Sequence, residues 1–425
     1  MIRPHIVILG AGFGGVYLAK KLVPQVKAGK IDVTIINRTN YFLFTPLLHE
    51  VATGSLSASS VAEPLREVFA GTGIQVIQAD VVSVNPATKT VTTSVGVTEF
   101  DYLVIATGAD TNYYGISGAE KFALPLKNLV DAARIRARII DSFEQAVLVN
   151  DPKERLHLLS FAVVGGGATG VETVAELSDF VHEIMDRYYH NNKAHAGTPG
   201  SCNADELAIT LVHTGPEVLQ PFPQALRTAA ADRLKERCVS LQLGSTVTAV
   251  TKDGLTLTDN ISIPAHTVIW AAGVKANVPH FEGGDPTLVA GRLAVNEYFN
   301  MTGNERIFAF GDVAAYADTT PKHAPLPMLA QVAVQQADMV ARNIIASIKE
   351  KKLRSFEYHS KGSMVSVGSW FAIGFIGRFK LFGKLTWWMW RTVYLFKFAS
   401  WKKRFRIMFE WTLEVFYPRD ITKLE

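Results

Sequence analysis

A chain of 425 residues, 48% hydrophobic and 19% charged, is too apolar to be disordered and long enough for two or three domains. The net charge of +4 is small, and two cysteines, Cys202 and Cys238, exclude a disulfide framework and a CxxC dithiol, so a reducing compartment fits. The chain enters an apolar strand at once (HIVILGAGFGG), with no basic n-region, h-region or small-residue cleavage site before it, and no export or transit peptide is expected.

Ile6 to Leu9 reads as a buried strand running into G-A-G-F-G-G, with Gly10, Gly12 and Gly15 at GxGxxG spacing around Phe13 and Gly14, and then a helix. Gly10 permits the tight turn, Gly12 lets a pyrophosphate approach the backbone, and Gly15 lets helix and strand pack closely, with the helix N-terminus facing the phosphates. The next strand, DVTIIN, ends in Asn37 before Arg38, where an acid for a ribose diol is usual; an amide can still bond a hydroxyl. DYLVIATGAD is a strand leaving through the small turn Ala106, Thr107 and Gly108.

The pattern repeats at FAVVGGGATGVE, where the strand Phe161 to Val164 precedes Gly165, Gly167 and Gly170. Glu172 follows two residues later and is placed in the first turn of the helix, where an acid complements the helix dipole. HNNKAHAGTPGSCNADE reads as a loop insert. The strand after it, LAITLVH, ends in His213, with no arginine next to it for a 2′-phosphate; NADH is expected over NADPH, although the choice stays open. HTVIWAAGVKA leaves its strand through Ala272 and Gly273, and NERIFAFGDVAAY ends in Gly311-Asp312.

The C-terminal stretch is different. From Tyr358 to Phe409 there is no acid among many basic residues, and six of the seven tryptophans lie at or after Trp370. Trp387, Trp390, Tyr394, Phe398, Trp401 and Phe405 share one helical stripe, with Lys384, Arg391, Lys402 and Arg406 on a neighbouring one. Trp and Tyr suit the headgroup level and cationic stems suit anionic phosphates, so an in-plane membrane anchor is expected. Arg391 and Lys397 interrupt the best apolar run, which argues against a spanning helix and hence against proton pumping. The plain alternative is an aromatic face packed on the protein's own domain or in a dimer. Nothing resembles a nucleic-acid module.

Taken together over roughly residues 5 to 320, these strands and turns resemble the two-dinucleotide-binding-domain flavoprotein reductases. The resemblance implies that Gly10, Gly12, Phe13, Gly14, Gly15, Asn37, Arg38, Ala106, Thr107, Gly108, Gly311 and Asp312 hold FAD, with Asp312 on the ribityl chain. Gly165, Gly167, Gly170, Glu172, His213, Ala272 and Gly273 would hold NAD(P)H. NYFLFTPLLHEVATGSL and LAQVAVQQA are similar to the corresponding segments of the type II NADH:quinone oxidoreductases. That family's A-Q-x-A-x-Q segment lies beside the isoalloxazine and the quinone head and maps onto Ala330, Gln331, Ala333 and Gln335, with Ala330 and Gln331 also on FAD. Glu172 stands where the family carries a functional glutamate, close to where nicotinamide meets flavin, and Lys384 is a candidate charge partner.

The fold expected is α/β: two doubly wound Rossmann-like dinucleotide-binding domains plus a C-terminal amphipathic helical membrane-binding segment. The boundaries expected are 1–115 and 281–355 for FAD, 116–280 for NAD(P)H and 356–425 for the tail. Catalytic residues expected are Glu172, Gln331 and Gln335, with no metal. The function implied is NADH oxidation through FAD to a membrane quinone, by a homodimer bound peripherally to the cytoplasmic face of the inner or cytoplasmic membrane. The rivals are a soluble reductase of a ferredoxin- or rubredoxin-type protein and a flavoprotein redox sensor.

Overall fold

The computed structural model describes residues 3–189, 207–316, 326–398 and 400–423. The loop insert at 190–206, with Cys202, lies outside them. The chain forms two compact units, one of Met1–Leu43, Ala62–Asp110 and Val274–Ser360, the other of Phe44–Val61, Thr111–Gly273 and Lys361–Glu425. The expected division differs in two places. Residues 44–61, expected with the FAD domain, belong to the second unit, and the tail joins that unit instead of standing apart.

The first unit is built on a six-stranded sheet in the order Asn300–Met301, Asn304–Ala309, Tyr102–Ile105, His5–Leu9, Asp32–Asn37, Gln75–Gln78. All neighbours are parallel except the outermost pair, Asn300–Met301 with Asn304–Ala309. Ile6, Val7, Ile8 and Leu9 are all fully buried, as expected of a central strand covered on both faces. Val7, Leu9, Leu103, Ile105 and Ile307 share one core with Val84, Val91 and Phe281. Because the first strand pairs on either side with strands two crossovers apart, a crevice opens at its carboxyl end, where Gly10 stands. The helices Phe13–Lys27 and Ala330–Ile348 pack on each other within this unit.

The second unit carries a five-stranded parallel sheet, Leu124–Pro125, Thr267–Trp270, Ser160–Val164, Ala208–His213, Val239–Leu243. Its long helix Leu129–Leu148 starts at a capping box in which Asn128 and Asp131 exchange side-chain and backbone bonds, which fixes its first turn. The tail begins with an antiparallel sheet, Ser363–Ser366, Ala372–Ile376 and Phe379–Gly383, that the sequence reading did not foresee. Two helices follow, Lys384–Lys397 and Trp401–Phe416.

These helices correct the single aromatic stripe. Phe398 leaves the helix in an extended conformation, and the Arg404 guanidinium donates to the carbonyls of Phe396 and Phe398, satisfying helix-end acceptors. Trp387, Trp390 and Phe398 are buried, whereas Trp401 and Phe405 are 64% and 58% exposed. Phe398 stacks 4.2 Å from Phe44 between ring centroids, and Tyr394 meets Phe44 edge-on. The first half of the stripe is therefore core. The exposed apolar residues keep Trp401 and Phe405 of that stripe and add Leu385, Trp388, Phe396, Phe409 and Phe416. Half of the basic stripe is engaged, since Arg391 is buried against Glu414 and Arg406 bonds Glu410, while Lys384 and Lys402 are exposed. No helix among the described residues is long and apolar enough to cross a membrane.

Candidate functional site: two nucleotide cradles and a buried acid cluster

In the first unit Gly10 has φ 96°, and a Cβ there would lie 2.4 Å from the Ala106 carbonyl oxygen; at Gly15 a Cβ would lie 1.9 Å from the Gly10 oxygen. Only glycine allows strand, turn and helix to close this tightly. At Gly12 the reverse holds: a Cβ would meet nothing within 4 Å. Gly12 is also the N-cap of the Phe13–Lys27 helix, which has no side-chain cap and no acid in its first turn. The uncapped, positive dipole end of the helix with clear space beside Gly12 is a fit for a pyrophosphate.

Around this cradle, Asn37 Oδ1 accepts from the Ala11 N–H at 2.8 Å, and its Nδ2 donates to Thr39, so the amide braces the loop. Arg38 pairs with Asp80 at the surface. The Thr107 hydroxyl donates to the Asn277 carbonyl, and Gly108 accepts from the Asn277 N–H. Gly311 adopts φ 75° and its N–H is held by Gln336 Oε1 at 2.8 Å, which fixes the Gly311-Asp312 turn against the Ala330–Ile348 helix. Asp312 lies in the field of Arg292. Gln336 is 2% exposed and was missed in the sequence, where its neighbours Gln331 and Gln335 carried the motif. Gln335 has both amide ends on the backbone of His359, at 3.0 and 3.3 Å. Ala330 and Gln331 open the helix and are partly exposed.

The second unit repeats the design. Gly165 has φ 121° under the Ala271 carbonyl, Gly170 is pressed on the Gly165 oxygen, and Gly167 caps the Ala168–Ile184 helix facing open space, with no acid in the first turn. Ala272 follows the sheet strand, and Gly273 lies under the Tyr114 ring. The His213 ring covers Gly166, where a Cβ would come 2.6 Å from it. Burial pushes His213 below the usual histidine range, so the ring is neutral at pH 7.

Glu172 is the fifth residue of its helix, beyond the first turn, which corrects the dipole reading. It is 7% exposed and accepts from the Ser366 N–H at 3.2 Å. Burial drives its carboxyl well above the usual range; the Ser366 N–H opposes this, and the charges of Glu50 and Glu176 reinforce it. Glu172 therefore holds its proton more tightly than an ordinary carboxyl does. Lys384 is exposed at the start of its helix and makes no ion pair among the described residues. The cations of this interior are Arg391 and Arg419, bound to Glu414 at 2.9 Å and to Glu176 at 2.9 Å. Arg391 also lies 3.8 Å above the Trp387 ring, worth on the order of 1–2 kcal/mol when desolvated.

Residues 4–337 match the pyridine nucleotide-disulphide oxidoreductase family, and residues 360–420 match the NDH2 C-terminal domain. The chain is 32% identical to the type II NADH:quinone oxidoreductase Ndh of Mycobacterium tuberculosis, over 97% of this chain and 88% of that one. The chain belongs to the type II NADH:quinone oxidoreductases. A Staphylococcus saprophyticus type II NADH:quinone oxidoreductase is 28% identical over 88% of this chain and 90% of its own. The Plasmodium falciparum NDH2 structure in complex with NADH superposes with a TM-score of 0.88, at 23% identity, covering 99% of this chain and all of that one. The Aquifex aeolicus sulfide:quinone oxidoreductase shares the fold at a TM-score of 0.72 and 21% identity, over 99% and 96% of the two chains. As a type II NADH:quinone oxidoreductase, the enzyme uses FAD and NADH, and the two open cradles fit them. In this family context the rival reading as a reductase of a protein acceptor is the weaker one.

Proposed function

We propose that the enzyme works at a membrane surface without pumping protons, balancing NADH + H⁺ + quinone → NAD⁺ + quinol. The observation that carries this reading is the pair of open, uncapped helix N-termini at Gly12 and Gly167, joined in one chain to a tail whose aromatic rings face outward. When bound, FAD supplies the two-electron step between NADH and the quinone. The first cradle holds FAD, with the Gly311-Asp312 turn on its ribityl side; the second holds NADH. Glu172 holds and releases a proton for quinone reduction. Gln331 orients the quinone carbonyl, and Gln335 acts through its clamp on His359.

The lipid partner is supported by the exposed face of Leu385, Trp388, Phe396, Trp401, Phe405 and Phe409, beside exposed Lys384 and Lys402. We place the enzyme as a homodimer on the cytoplasmic face, where NADH is supplied and anionic lipid attracts cations. Stopped-flow reduction by NADH followed by reoxidation with a short-chain quinone tests the assignment. Gln331→Ala should slow reoxidation about tenfold and leave reduction within about twofold; equal slowing of both would make the segment structural packing.

A further inference from the structure

Glu50 plays no part in the roles assigned above. It sits in the short helix Leu48–Ala52, 2% exposed, and the Trp411 indole N–H donates to its Oε2 at 2.7 Å. The elements packed around it supply both signs of charge. Arg391 comes from the first tail helix, Glu414 from the second and Glu176 from the Ala168–Ile184 helix. Both guanidinium groups are committed elsewhere: Arg391 bonds Glu414, and Arg419 bonds Glu176, Glu414 and, at 3.7 Å, Glu183. On the Leu129–Leu148 helix, which also packs here, Arg136 bonds Asp420. Among the described residues neither Glu50 nor Glu172 has an ion-pair partner. Next to Glu50, His49 is neutral, pushed down to about 3 by burial and by Arg419, and its buried Nε2 has no hydrogen-bond partner among the described residues.

The short helix that carries Glu50 packs on the helix that carries Glu172, and the Glu50 charge bears on Glu172; carboxyls so placed do not ionise independently, because a second negative charge without a cation is costly. We propose that Glu50 is a positioning residue for the proton that Glu172 handles: neutral Glu50 lets Glu172 release and regain its proton, and ionised Glu50 locks that proton in place. This rests on the proton-handling role of Glu172. When Glu172 gives its proton, its O–H bond breaks and one of the two quinol O–H bonds forms; the other hydrogen and both electrons would be those of the NADH hydride, passed on through FAD. The carboxylate then takes a proton from solvent. The charged interval is tolerated only while Glu50 is neutral. Burial raises the Glu50 carboxyl to about 8, opposed by Arg391, reinforced by Glu176 and Glu414, and opposed again by the Trp411 N–H, so the switch falls within an assayable pH range.

The test follows quinone-driven reoxidation of the NADH-reduced holoenzyme by stopped flow from pH 6 to 9.5. The wild type should lose about tenfold in rate across the upper part of this range, while reduction by NADH stays level. Glu50→Gln, which keeps an acceptor for Trp411, should abolish that decline. It should also remove a protonated-carboxyl infrared band that titrates over the same pH range in the wild type. Trp411→Phe, which deletes the donor that favours the Glu50 carboxylate, should move the decline to higher pH. FAD content and the thermal midpoint of each variant verify folding. If well-folded Glu50→Gln retains the wild-type decline, the proposal fails while the Glu172 role stands. If Glu172→Gln reoxidises like the wild type at every pH, the Glu172 role fails, and the Glu50 proposal fails with it.

Discussion

At the residue scale, we propose that His213 sets nucleotide specificity by its charge state. It ends its strand at the position that usually carries a ribose-binding acid, with its ring packed over Gly166 and burial keeping it neutral near pH 7. A neutral imidazole can bond a ribose hydroxyl but offers no cation to a 2′-phosphate. NADH should therefore be preferred by kcat/KM at pH 7 to 8, and the preference should narrow as acidification charges the ring. His213→Glu should widen it about five- to tenfold, the scale of one carboxylate facing a phosphate near water. Equal use of NADPH and NADH at pH 8 would contradict this assignment. Residues of this kind are legible from position in the sequence. Gln336 was not, because its role depends on the Gly311 N–H, 25 positions away.

At the scale of elements, the tail is both core and surface. Replacing any of the buried Trp387, Trp390 or Trp411 by Ala should cost about 3–5 kcal/mol, so deleting everything from Trp387 onward should unfold the second unit, not release an intact enzyme. The lipid contact is tested on the exposed face alone. A Trp401→Ser, Phe405→Ser, Phe409→Ser variant should keep its thermal midpoint within a few degrees and still reduce a short water-soluble quinone. Its sedimentation with anionic liposomes should weaken at least tenfold per large ring removed, since each ring buries about 1.5–3 kcal/mol of apolar surface. Unchanged liposome binding would reassign this face to contacts between copies. Lys403 donates to the Ser59 carbonyl, and Glu410 accepts from the Ser57 and Ser60 hydroxyls, so the second tail helix is pinned on one side while its rings face outward. Periodicity located the helices. It could not tell which stripe would be buried, because an apolar stripe facing a core and one facing lipid have the same spacing.

For the whole molecule, buried carboxyls make folding stability depend on pH. Glu50 and Glu172 both bind their protons more tightly folded than unfolded, so the unfolded chain holds fewer protons once pH exceeds about 4.5. With the folded state the more protonated one, stability falls as pH rises through that point and continues to fall, for Glu50, to about pH 8. Glu50→Gln removes its share of the loss. The unfolding free energy of the variant, measured by denaturant titration, should gain on that of the wild type as pH rises from 5 to 8, by on the order of a few kcal/mol at the upper end. A gap independent of pH would show that Glu50 is charged in the folded protein.

The sequence by itself determined the two tight glycine turns, since the sterics of Gly10 with Gly15 and of Gly165 with Gly170 are local and leave their mark at fixed spacing. It also placed the Gly311-Asp312 turn at the end of its strand, through a motif adjacent in the chain, but put Glu172 a turn too early in its helix. Only the tertiary structure decided that residues 44–61 and the tail fold into the second unit. It alone decided that Arg391 turns inward and that Glu50 meets Trp411 and Glu172 meets Ser366. Those pairs lie 361 and 194 positions apart, and whether a glutamate keeps its proton is set by burial and by neighbours that no local pattern encodes.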